Sequence, residues 1–366
     1  MNRRLLSLLS LVWILAQPAV AQTIPAADDR IRVMGRHRVA DDGAVEFGAP
    51  GVTFFIAFEG TAVEVELEVA APEPGGYDWF TVVVDGGEPA RVRADPGRHW
   101  YTLADGLMPG EHSLALSKAT EGQNGHDRLL AVRAAGELLD ADALPERRIE
   151  IIGNSITVGY GLDAREIACD EGTWYDQTHA WLADGPRLAR RLDAQWMLTA
   201  VSGMGMHRNW NSSGPVMPDV FADIYLEYDV GITPWSFDRY TPDLVVIALG
   251  TNDFSEGGGD EPRADLDGEA FVEDYAGFVA VVRDRYPGAR ILLTDSPMLE
   301  PADRARLSGY LRQVVERRAA VGDPAIATFA YDSRYVAGCD GHPDLDEHIA
   351  MADRLEPAIR AMMGWR

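Results

Sequence analysis

Three short segments hold side chains that could act together in acyl transfer. The first is Ile151-Ile152-Gly153-Asn154-Ser155-Ile156-Thr157. A short apolar strand ends here and a helix is expected to begin, so Ser155 is presented as an exposed hydroxyl with its own backbone N–H facing the same pocket. Ser is equally favoured as a plain helix N-cap. The second is Leu249-Gly250-Thr251-Asn252-Asp253. Asn252 offers a neutral amide donor, which suits an oxyanion that exists only in the transition state; Asn and Asp are also ordinary turn residues. The third is Cys339-Asp340-Gly341-His342-Pro343. His342 could take the Ser155 proton as a general base. His348 is a rival six residues on, but the expected last helix would contain it. A fourth segment, Val201-Ser202-Gly203-Met204-Gly205, supplies glycines whose backbone N–H groups can approach a ligand closely. A hydroxyl, a backbone N–H, an amide donor and an imidazole follow one another in the order that acyl transfer requires.

These groups need a scaffold that brings them to one edge. After Pro145, a short strand at Arg148–Gly153 and compact apolar runs at Trp196–Val201, Leu244–Leu249, Ile291–Thr294 and Ile326–Phe329 alternate with helical periodicity at Thr178–Leu192, Phe271–Arg285, Asp303–Ala320 and Asp346–Met363. The pattern predicts an α/β fold with a parallel sheet covered on both faces. In such sheets ligands bind at the carboxyl ends of the strands, where all four segments fall.

The preceding part reads differently. Val63, Val65, Leu67 and Val69 alternate with Glu64, Glu66 and Glu68, which places the valines and leucine on a buried face and the glutamates in water. Further strands are expected at Val52–Phe58, Trp79–Asp85, Arg91–Val92, His99–Leu103, His112–Ser117 and Leu129–Arg133, separated by turns such as Asp95-Pro96-Gly97. Strands at that spacing without helices indicate a β-sandwich. The expected division is a signal peptide at 1–21, an N-terminal β-sandwich domain at 22–140 and a catalytic domain at 146–366, joined by a linker within Gly136–Arg147.

The N-terminus pairs Arg3 and Arg4 with an apolar run from Leu5 to Ala16 and an A-x-A pattern ending at Ala21. This is the form of a cleaved secretory signal, and the run is too short to span a bilayer. The protein is therefore expected to be exported, to a bacterial periplasm or beyond, with no membrane attachment after cleavage. The 366 residues carry 33 Lys and Arg against 58 Asp and Glu, a net charge of −25. That charge repels phosphate backbones and argues against nucleic acid as a partner. Cys169 and Cys339, the two cysteines, can form at most one disulfide and cannot build a thiolate zinc cage. An exported chain permits the bridge, but two buried thiols remain an equal alternative. The oligomeric state is not legible.

At the reactive segments the chain resembles the SGNH, or GDSL-like, hydrolases. Gly153-Asn154-Ser155-Ile156-Thr157 is similar to the first family block, with Asn154 where an aspartate is usual. Gly203, or alternatively Gly205, corresponds to the second block, Gly250-Thr251-Asn252-Asp253 to the third, and His342-Pro343 to the fifth. The resemblance implies a flavodoxin-like three-layer α/β/α domain that hydrolyses esters, preceded here by the β-sandwich (jelly-roll-like) domain. It implies Ser155 as nucleophile, His342 as base, and an oxyanion hole made by Ser155, Gly203 and Asn252.

Ser117-Lys118-Ala119-Thr120-Glu121-Gly122, Arg147-Arg148-Ile149-Glu150-Ile151-Ile152-Gly153 and Trp235-Ser236-Phe237-Asp238-Arg239-Tyr240 resemble more closely the acetylesterases of carbohydrate esterase family 2. This implies an acetylxylan esterase-like enzyme that removes O-acetyl groups from carbohydrates such as hemicellulose, through a Ser-His dyad and an acetyl-enzyme intermediate, with no cofactor and no metal. Cys339 stands where many relatives carry an aspartate three residues before the histidine, so a backbone carbonyl is expected to orient His342, with Asp340 as the alternative. Gly341 stands where tryptophan is frequent. Trp210 and Trp235 could stack on a sugar instead, or simply pack. The competing functions are a lipolytic or thioester hydrolase on the same residues, and a catalytically weak carbohydrate-binding protein.

Overall fold

The computed structural model describes residues 22–70, 75–226, 233–258 and 261–366. The expected signal segment at 1–21 lies outside them. In the N-terminal half, period-2 sequences pair into two antiparallel sheets. One runs in the order Arg38–Val39, Val45–Phe47, His126–Ala134, Val63–Ala70, Gly97–Ala104; the other in the order Glu137–Leu139, Thr53–Gly60, Gly110–Lys118, Asp78–Val84, Ala90–Ala94. Their facing side chains make one core. Val63, Val65, Leu67 and Val69 from the first sheet pack with Phe54, Ile56, Phe58, Phe80, Leu114 and Leu116 from the second.

One glutamate departs from the alternation. Glu66 is buried rather than in water, because the Arg98 guanidinium lies across it with bonds of 2.7 and 2.9 Å. Such a two-point contact replaces the water that the carboxylate gives up.

In the C-terminal half the sheet is fully parallel, in the order Ala194–Ala200, Arg147–Gly153, Leu244–Ile247, Arg290–Thr294, Ile326–Phe329. Alternate residues feed opposite faces. Ile149, Ile151, Val246 and Leu292 pack against the helices Asp184–Arg191 and Leu345–Met363. Ile152, Val245, Ile247 and Leu293 pack against Gly268–Arg285 and Pro301–Ala320. The result is a three-layer α/β/α domain with flavodoxin-like strand order, behind an antiparallel sandwich. In this order the chain reverses direction of winding between Arg147–Gly153 and Leu244–Ile247, and the crevice above that pair is where ligands bind.

One expected helix is divided. Thr178–Leu192 consists of a 3-10 turn, Ala180–Leu182, and a helix, Asp184–Arg191, with extended Ala183 between them. Pro186 explains the break. It fits the first turn of Asp184–Arg191, where no N–H is needed, but would interrupt the interior of a longer helix. The strand Arg147–Gly153 carries a buried charge. Glu150 within Arg147–Gly153 is fully buried and pairs with buried Arg36 at 3.1 Å. Thr199 donates to the same carboxylate at 2.6 Å, and Arg36 also donates to the carbonyls of Phe221 and Asp223. Arg36 comes from the sandwich half, so a buried ion pair joins the two halves.

Candidate active site

The site begins where Arg147–Gly153 leaves the sheet. Asn154 is extended and caps the short helix Ser155–Val158, its side-chain oxygen accepting the Ile156 N–H at 3.2 Å. An aspartate would offer the same acceptor, so the replacement at Asn154 leaves the cap intact. Ser155 is then the first helical residue and not the cap itself. Its N–H is one of the first-turn donors that no helical carbonyl can satisfy. Gly153 permits the tight exit, since a side chain there would collide with Thr157 at 1.9 Å.

His342 Nε2 lies 2.8 Å from Ser155 Oγ. The histidine follows the 3-10 turn Cys339–Gly341, and its backbone N–H donates to the Cys339 carbonyl at 3.0 Å. Burial pushes its pKa below the ordinary histidine value, while the backbone and charge of Asp340 and the Cys339 backbone pull it back up. Nδ1 has no partner of normal hydrogen-bond geometry among the described residues. The Asp340 carboxylate is engaged elsewhere, accepting the Tyr160 hydroxyl at 2.6 Å.

Asn252 opens a 3-10 turn just beyond Leu244–Ile247 and is 8% exposed. One amide hydrogen goes to the Met204 carbonyl at 2.7 Å. An amide has two, so one donor stays available. That bond also draws the turn carrying Gly203 against Asn252. Gly203 has φ +78°, and a side chain there would meet nothing within 4 Å, so the residue faces open space. The alternative, Gly205, spends its N–H on Asn209 Oδ1 at 3.0 Å. Asp253 fixes the rest of the loop by accepting the N–H groups of Met206, His207 and Arg208 at 2.6 to 2.9 Å.

The remaining candidates separate clearly. His348 is buried in Leu345–Met363 and bonds to Asp184 through Nδ1, so it is built into the helix packing. Trp235 is buried beside Arg36, which excludes stacking on a sugar. Trp210 is 59% exposed and its backbone N–H donates to the Gly203 carbonyl at 2.8 Å. Cys169 and Cys339 form a disulfide. It ties the segment before Trp174 to the turn that leads into His342. Among the described residues, no group of three or more His, Cys, Asp and Glu is arranged to hold a metal ion.

Two aromatic neighbours were not expected. The Tyr160 ring centroid is 4.6 Å from that of His342, and Trp174, 44% exposed, stacks on Tyr160 at 6.1 Å. Tyr160 sits between Gly159 and Gly161, five residues after the serine, which is the one signal that could have marked it. Trp174 had none. Its segment is held by the sandwich half: Tyr77 and Trp79 donate to the Asp176 carboxylate at 2.8 Å, and Arg91 to its carbonyl at 2.6 Å.

Comparison with known proteins gives concordant results for both halves. Residues 33–141 match the carbohydrate esterase 2 N-terminal family, and residues 151–351 the GDSL-like lipase/acylhydrolase family. The chain is 31% identical over 350 residues to an acetylxylan esterase / glucomannan deacetylase of Cellvibrio japonicus, covering 94% of this chain and 92% of that one. A solved family two carbohydrate esterase of the same organism superposes with a TM-score of 0.84 at 29% identity, over 94% of this chain and 99% of the other. A family two carbohydrate esterase of Clostridium thermocellum, solved in complex with cellohexaose, gives 0.81 at 30% identity, over 92% and 100%.

Proposed function

The chain belongs to carbohydrate esterase family 2, built on a GDSL-like lipase/acylhydrolase half, and on that premise we propose that it removes O-acetyl groups from hemicellulose-type carbohydrate through Ser155 and His342. It is a carboxylic ester hydrolase. The observation that carries the specific reading is the 2.8 Å contact between Ser155 Oγ and His342 Nε2. In that geometry Ser155 attacks the acetyl carbonyl carbon while Nε2 takes its proton. The carbonyl oxygen becomes an oxyanion, for which the Ser155 and Gly203 N–H groups and the second Asn252 amide hydrogen are the donors. One such donor contributes about 3 kcal/mol in the transition state. His342 then returns the proton to the sugar oxygen as the C–O bond breaks, leaving Ser155 acetylated. Water, deprotonated by His342, attacks the acetyl carbon; the bond to Ser155 Oγ then breaks, His342 returns the proton to Oγ, and acetate leaves.

No carboxylate backs the imidazole in this reading. The Asp340 and Cys339 backbone favours the protonated imidazole, and Ser155 and His342 work as a dyad. Tyr160 and Trp174 form an aromatic wall on which a sugar ring can lie. The acetylated polymers are outside the cell, and the residue pattern at 1–21 supports export to meet them.

The test is acetate release from acetylated xylan and acetylated glucomannan, with products identified by mass spectrometry. The native protein should release acetate from at least one, and Ser155→Ala should release none above background. Full activity in that variant would sink the mechanism. A preference for long-chain acyl esters over acetyl esters would move the protein to the lipolytic group.

A further inference from the structure

The turn that carries Gly203 is held from outside the hydrolase half. Two residues of the sandwich half reach it. The Ser202 N–H donates to Glu121 Oε2 at 2.7 Å, and Gln123 Nε2 donates to the Ser202 carbonyl at 2.9 Å. The second bond has a specific geometric consequence. The Ser202 carbonyl and the Gly203 N–H belong to one peptide unit. That unit is trans, and a planar trans peptide directs its C=O and N–H in opposite directions. Holding the carbonyl therefore aims the N–H.

This peptide needs an external restraint. Glycine accepts a wide range of φ, so the plane before Gly203 can rotate at little steric cost. Gly203 has φ +78° and open space beside it, so no side chain of its own resists rotation. We infer that Gln123, with Glu121, is a positioning residue: the sandwich half locks the Ser202–Gly203 peptide so that its N–H is preset for the oxyanion. The inference rests on Gly203 being an oxyanion donor.

The arm that does this is itself rigid. Lys118 is fully buried between the carboxylates of Asp78 and Asp127, the latter at 2.5 Å, and the Thr120 hydroxyl donates to Asp78. Glu121 to Asn124 then close a 3-10 turn, with the Asn124 N–H on the Glu121 carbonyl at 3.0 Å. Glu121 is fully buried, and burial raises its carboxyl pKa to about 7 although the Ser202 contact lowers it. A buried carboxyl is costly in a core. Here it is directed at the peptide next to the one in question.

Gln123 is exposed, so it can be changed without disturbing the fold. Four variants separate the possibilities on p-nitrophenyl acetate. Gln123→Ala should lower kcat by roughly three- to tenfold, the range for one hydrogen bond, with KM and Tm close to native. Gln123→Glu keeps size and shape but turns an oxygen toward the Ser202 carbonyl. It should lose at least as much kcat, which a mere spacer role does not predict. Asn252→Ala runs beside them as a control on the oxyanion site. A native kcat in Gln123→Ala, a loss confined to KM, or a native kcat in Gln123→Glu each overturns the inference. If Asn252→Ala is impaired while both Gln123 variants are native, only the clamp is wrong. If Ser155→Ala keeps its activity, the underlying reaction assignment falls with it.

Discussion

Ser155 and His342 are separated by 187 positions in the chain and by 2.8 Å in space. The serine rides the first turn after Arg147–Gly153, and the histidine follows the turn Cys339–Gly341. A disulfide through Cys339 and a tyrosine bonded to Asp340 hold that second turn. The contact is thus set by the strand order and by anchors on either side of the histidine.

Asn252→Ala should lower kcat on p-nitrophenyl acetate by about 10²–10³-fold with little change in KM, since an oxyanion donor acts mainly in the transition state. Asn252 also bonds to Met204, so the variant's melting temperature should be measured alongside. A loss confined to KM would assign Asn252 to substrate binding instead.

The acid limb of the pH profile should lie below the ordinary histidine value of 6.5. The base must be neutral, and burial lowers the His342 pKa, so the imidazole stays neutral to lower pH than a free histidine does. Activity should hold as pH falls through 6.5 and be lost only as pH falls through the lowered value. The pH dependence of kcat/KM reads the free enzyme directly, and a limb above 6.5 contradicts this.

Asp340→Asn should keep kcat within about tenfold of native, because the amide can still accept the Tyr160 hydroxyl and the Asp340 and Cys339 backbone that favours the protonated imidazole is unchanged. A drop of several orders of magnitude would make the carboxylate part of the catalytic machinery.

Replacing both Cys169 and Cys339 by serine should cost about 2–4 kcal/mol of stability, as expected for removing a cross-link that closes a long loop. The two residues are 170 apart in sequence, so the reduced unfolded chain gains considerable freedom. Urea denaturation of oxidised, reduced and doubly substituted protein would show it. Equal midpoints for all three would refute the prediction.

The local parts of this protein were readable from its residues. Val63 to Val69 alternate because one face of a strand is wet and the other dry, and the sandwich core follows from that. The strands Leu244–Ile247 and Arg290–Thr294 are apolar on both faces because helices cover both. Ser155, Asn252 and His342 could be singled out because reactive side chains in open α/β sheets gather at strand ends. The exceptions arose where a residue answers to a distant partner. Glu66 is buried because Arg98 covers it, Glu150 because Arg36 reaches it from the other half, and Thr178–Leu192 divides where Pro186 cannot continue a helix.

The sequence by itself determined the element types and the chemistry available at each strand end, because both depend on neighbours a few positions away. Only the tertiary structure decided what each group faces. It brought Tyr160 and Trp174 beside His342, turned Asp340 toward Tyr160 and set Gln123 on the Ser202 carbonyl. Those contacts join segments remote in the chain, and hydrogen bonds and ring contacts act over a few ångströms of space, a distance that no local pattern encodes.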